Sequence, residues 1–154
     1  MTGIIPTLGR IVYYTIPSHV AQDINRRRQH AAENIYYHRW KKNGAMVHVG
    51  NPVSEGQIVP AMVVAVWGNT PGSAVNLKLF LDGSDDYWVT STGVEPEVKD
   101  NLGNEVHVPG RYHWMPYQKA VASGQIAPVA HAAPEQVLRD PGATHPIIDP
   151  GRQF

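Results

Sequence analysis

The chain has 154 residues, 42% hydrophobic and 17% charged, enough for one domain with one modest core. It contains no cysteine, which excludes disulfides, thiolate catalysis and cysteine-ligated zinc and favours a reducing compartment. Thirteen basic residues balance thirteen acidic ones, but the first 50 residues hold seven of the basic and only two of the acidic. Such oppositely charged halves either interleave on one neutral surface, the reading adopted, or bind nucleic acid or further copies of the chain.

The opening MTGIIPTLGR has neither the basic start nor the apolar run of a secretory signal, and no stretch reaches the ~20 apolar residues of a membrane span. A soluble protein made in the cytoplasm is expected. GRIVYYTI, residues 9–16, is β-branched and aromatic and reads as a first strand. A helix over about residues 19–40 follows, with Ser18 as N-cap and Val20, Ile24, Ala31 and Ile35 on one stripe. On this reading Arg26, Arg27 and Arg28 turn away from the stripe. Lys42, Asn43 and Gly44 end the helix.

A short strand is expected from Ala45, then a turn-rich loop to Gly56. QIVPAMVVAVWG, residues 57–68, is the strongest strand signal, with Pro60 at a point needing no ladder hydrogen bond. AVNLKLFLDG alternates, Val75, Leu77, Leu79 and Leu81 facing one side and Asn76, Lys78 and Phe80 the other. DGSDD turns the chain and YWVTST returns as the hairpin partner. Residues 93–110 form an acidic excursion with a small hairpin around NLGN, RYHWMP is a last short strand, and YQKAVASG is at most one helical turn. Beyond Gln125 no core pattern remains. These elements predict a mainly β fold with one inserted helix. Its form is a small SH3-like or related antiparallel barrel of five to six strands over residues 1–116, with an extended Pro/Gly-rich arm over 117–154. Ile11, Val63, Val66, Leu77, Leu79, Leu81 and Val89 are the expected core, and Trp67, Trp88 and Trp114 the expected rim or contact residues.

Catalytic chemistry is not legible. The eight histidines lack ligand spacing, His107 and His113 included, and read as solvated or interfacial side chains. No serine sits in a nucleophile elbow, and Asp82, Asp85 and Asp86 lack the full calcium-loop pattern and read as a solvated turn. No enzyme, metal, cofactor, membrane contact or small-molecule substrate is expected. Basic residues interleaved with aromatics in NRRRQ and YYHRWKK fit nucleic acid less well than acidic groups on a neighbouring protein subunit.

Taken as a set, IPTLGRIVYYT, INRRR, GNPVSEGQIVPAMVVAVWG, VNLKLFLDGSDDYWVTST and RYHWMP resemble a family of small proteins encoded by tailed bacteriophages and prophages. The resemblance runs from about Ile5 to Pro116, and departs from the family in an insertion over residues 95–108 and in the tail. It implies phage origin and carries over no catalytic residue. A non-enzymatic virion protein is therefore expected, first a capsid decoration or cement protein bound to the major capsid protein, next a head–tail connector or tail accessory protein. The alternative of another class is a free phage protein acting on nucleic acid or a host protein. The arm carries spaced anchors (Ile126, Val129, Val137, Leu138, Ile147, Ile148, Phe154), too few to offset its own ordering, and is expected to lie across neighbouring subunits. Arg26, Arg27, Arg28, Trp40, Trp114, Ile147, Ile148, Arg152 and Phe154 are the expected partner-binding residues.

Overall fold

A computed structural model of the protein describes residues 3–41 and 49–125, with side chains through residue 35 of the first stretch. Five strands and two helices follow in the order β1 (Ile11–Thr15), α1 (Ser18–Lys41), β2 (Ile58–Trp67), β3 (Ala74–Phe80), β4 (Asp86–Thr92), β5 (Tyr112–His113) and α2 (Pro116–Ala122). The strands form one open antiparallel sheet in the order β4-β3-β2-β1-β5. The fold is thus mainly β with a helix inserted between the first two strands. The strand expected from Ala45 begins outside the described residues, and residues 49–57 run as loop and turn.

The alternation in β3 translates directly into two faces. Val75, Leu77 and Leu79 are fully buried, and Leu77 lies between Val63 of β2 and Val89 of β4. Val66 and Leu81 pack against this core from its margin. In β1 the expected face is wrong by one residue. Val12, Tyr14 and, just past the strand, Ile16 are the buried apolar residues, while Ile11 is half-buried on the other face. The ladder decides this, since Val12 pairs with the buried Ala61 and Ile11 with Met62. A one-residue slip would exchange both faces.

Bulges interrupt β2 after Val63 and the β3–β4 pair after Val75. At the second, Ser91 takes a left-handed φ of 50° and gives its N–H to the Asn76 side chain. Bulges bend strands, and just past β4 an isolated parallel bridge joins Val94 to Tyr112 of β5. The excursion that follows contains the expected small hairpin, with Lys99 bridged to Glu105 and Asp100 capping its turn.

Helix α1 starts directly after Pro17, whose carbonyl accepts the N–H of Ala21. Val20, Ala21, Ile24 and Arg28 are buried among its described side chains, one stripe at helical spacing. From Gln29 to Ile35 none is buried. The segment after Met115 corrects the expected single turn. Residues 116–122 form a two-turn helix opened by Pro116, so the extended arm does not start at 117. Gln118 locks α2 to the sheet by donating to the Ile11 carbonyl at 3.0 Å and accepting the Met115 N–H at 3.0 Å.

Candidate functional site

Two polar clusters are built into the described residues. The first gathers α1, the loop before β2 and the β3–β4 turn. Asn25 on α1 clasps the backbone of Val53, its amide donating to the carbonyl and its oxygen accepting the N–H, both at 2.8 Å. One turn on, Arg28 reaches the β3–β4 turn. Its Nε and Nη2 grip the Asp85 carboxylate at 2.9 and 2.8 Å, and Nη2 also meets the Asp82 carbonyl at 3.0 Å. Nη1 donates to the Asn51 carbonyl, and the Asn51 amide to the Asp82 carboxylate. Gly50 admits no side chain here, since a Cβ would stand 1.5 Å from the Asp82 oxygen.

Hydrogen bonding from Arg28 holds the Asp85 carboxyl below the usual carboxylate range against the opposing effect of burial. The cluster is therefore a satisfied, charge-assisted lock between helix, loop and hairpin. It overturns two expectations. Arg28 lies on the buried stripe rather than away from it, because it follows Ile24 by four residues. The DGSDD segment is not a merely solvated turn, because Asp85 answers that arginine.

The neighbouring arginines are also engaged within the chain. Arg26 pairs with Asp23. Arg27 donates to the Asp86 carbonyl at 2.7 Å and lies over the Tyr87 ring at 5.2 Å. All three arginines of the triplet thus have partners in their own chain, with Arg26 and Arg27 still exposed beside them.

The second cluster lies at the opposite edge of the sheet. Glu95 follows the Val94 bridge, and its own N–H donates to the Tyr112 carbonyl at 2.7 Å. The excursion hairpin, closed by Val106 N–H to the Val98 carbonyl, folds His107 back toward it. His113 comes from β5, paired with Tyr13, whose ring centroid is 5.5 Å away. His107 Nδ1 is 3.0 Å from Glu95 Oε1, and the Val108 N–H donates to Oε2 at 3.0 Å. The two imidazoles stack with centroids 4.0 Å apart and planes 12° from parallel.

His113 Nδ1 is 3.6 Å from Glu95 Oε2 and has no hydrogen-bond partner, although its side chain is only 7% exposed. Burial pushes the His113 pKa below the ordinary histidine value, and His107 adds to this while Glu95 opposes it. One donor atom from each of Glu95, His107 and His113 lies within 4.8 Å of the others. The expectation of solvated or interfacial histidines fails for His113, which is buried, while His107 is half-buried against it. Sequence spacing did not expose the trio, because Glu95 and His107 meet only through the hairpin. The available signal was the NLGN turn itself, which folds the flanks of the excursion together.

Trp114, expected at the rim or in a contact, packs into the core. It is 7% exposed, edge-on to Tyr112 at 5.6 Å and covered by Arg10. Its position after a two-residue strand turns it inward. Trp40 lies in the last turns of α1, and its side chain falls outside the described residues, as do Ile147, Ile148, Arg152 and Phe154. Trp67 and Trp88, by contrast, are 61% and 62% exposed. Register places Trp88 opposite Lys78, on the outward face that also carries Met62, Phe80 and Trp67.

Among the described residues, no helix is long and apolar enough to cross a membrane. Comparison of the chain with protein-family models, curated proteins and solved structures finds no match.

Proposed function

We propose that this chain is a structural protein of a tailed-bacteriophage particle, most specifically a capsid decoration protein that binds neighbouring virion subunits. The reading starts from the resemblance over Ile5 to Pro116. The observation that carries it further is the outward sheet face, where Trp67, Trp88 and Phe80 are exposed together with Val64 and Ile58. Large aromatics left in water on one face are costly to a free monomer and are the residues that anchor protein contacts.

The same reading assigns the residues beyond Gln125 to contacts with neighbouring subunits, and takes the Val94–Tyr112 bridge as the seam of a small closed barrel. With Arg26, Arg27 and Arg28 engaged by their own chain, protein is favoured over nucleic acid as the partner.

Mass spectrometry of purified particles from the encoding phage or induced prophage tests the proposal. The chain is expected at stoichiometric abundance, and replacing Trp67 and Trp88 by Ser is expected to lower its occupancy while leaving the domain folded. Absence of the chain from intact particles overturns the reading.

A further inference from the structure

We infer that Glu95, His107 and His113 form a binding site for a divalent transition metal of the zinc type, which pins the excursion hairpin to β5. Three features of the cluster lead there. The first is an imbalance of partners. Glu95 Oε1 meets His107, Oε2 accepts the Val108 N–H, and the buried His113 Nδ1 is left with nothing. A buried polar atom without a partner is rare and costly, and a shared cation removes the deficit by engaging all three side chains.

The second feature is spacing. Zinc bonds nitrogen and oxygen at about 2.0–2.1 Å, so tetrahedral ligands stand roughly 3.3 Å from one another. The two histidine–carboxylate separations are 3.0 and 3.6 Å. The three donor atoms lie within 4.8 Å of one another, and closing on an ion takes a turn of the stacked rings so that their lone pairs converge beside the carboxylate.

The third is ligand type. A set of two imidazoles and one carboxylate selects zinc and its transition-metal neighbours over calcium or magnesium, which take oxygen shells. Water completes the sphere on the side of His107, the more exposed of the two rings.

The ligands come from the chain past β4, from the return of the excursion and from β5. An ion held by all three ties the hairpin down at its base, where the Lys119–Glu105 pair from α2 already helps. The site is independent of the virion reading, since it stands whether or not the chain is found in particles.

The test uses the full chain in metal-free buffer, titrated with zinc by calorimetry and with cobalt(II) by visible absorption. One zinc per chain is expected, with a tetrahedral cobalt spectrum and slower amide exchange in residues 95–108 when zinc is present. His113→Phe, which keeps a ring against Tyr13, and His107→Ala are each expected to weaken zinc binding by more than the about 10–100-fold typical of losing an outer-shell partner. Both variants are to be checked for native circular dichroism. Absence of zinc uptake by the folded wild-type chain overturns the inference. So does uptake undiminished in both variants, which would assign the ion to other histidines. Should both variants unfold, the cobalt spectrum and the exchange of residues 95–108 in the wild type decide alone, and an octahedral spectrum or unchanged exchange overturns the inference.

Discussion

Arg28 and His113 are both polar residues enclosed by the protein, 6% and 5% exposed, yet their surroundings differ in kind. Arg28 spreads its guanidinium over one carboxylate and two carbonyls, and every partner is itself fixed by a turn or a loop. His113 stacks on a second histidine and faces a carboxylate whose oxygens are already engaged, with its Nδ1 unpaired. A network with every member satisfied rigidifies a fold, whereas a half-satisfied one costs stability until something completes it. The first cluster joins α1, the loop before β2 and the β3–β4 turn. The second draws two of its three residues from the excursion between β4 and β5. One region holds the fold together and the other is prepared to receive a ligand.

The largest expected effect breaks the first cluster. Arg28→Ala strands the Asp85 carboxylate and the Asn51 and Asp82 carbonyls, and is expected to cost about 3–5 kcal/mol, as loss of one partner of a buried ion pair does. Urea denaturation measures it. A cost below about 1 kcal/mol, the scale of an exposed surface pair, would reduce the lock to a surface contact and erase the contrast.

A smaller effect comes through pH. The Asp85 pKa is lowered in the folded protein, chiefly by the hydrogen bonds from Arg28. Its contribution is therefore complete above the ordinary carboxylate pKa and is lost as pH falls through the lowered folded value. Asp85→Asn is expected to remove that part of the acid dependence and leave stability flatter with pH on the acid side. Parallel acid limbs for wild type and variant would assign the dependence to other carboxylates.

The two regions also differ in how far the sequence discloses them. β3 was legible because its apolar and polar residues alternate strictly from Val75 to Leu79. β1 was not, because Ile11 and Val12, then Tyr13 and Tyr14, are apolar neighbours. Alternation alone cannot choose between such pairs, and pairing with Ala61 does. Arg28 sits at helical spacing from Ile24, so its burial could be read, but its partner Asp85 is 57 residues away and invisible to local pattern. Without that partner in view, the arginine triplet reads as turned away from the buried stripe. Glu95, His107 and His113 belong to a bridge, a hairpin return and a two-residue strand, elements too short to leave a periodic trace. Trp114 was misjudged for the same reason.

The smallest effect sharpens the comparison most. In chelator, so that no metal contributes, His113→Phe removes a buried ring nitrogen that bonds to nothing and keeps a flat ring between Tyr13 and His107. Glu95 retains the Val108 N–H and His107 as partners. Removing an unsatisfied buried polar group in favour of an apolar one of similar shape is nearly neutral or stabilising. The expected change is therefore within about 1 kcal/mol of zero, of either sign, against the several lost at Arg28. Thermal and urea denaturation of the two variants side by side make the measurement. A loss at His113 matching that at Arg28 would mean that His113 carries structural weight without any ligand. The excursion edge would then be a second lock, closed in the chain by itself, and the division between a holding region and a receiving one would fall.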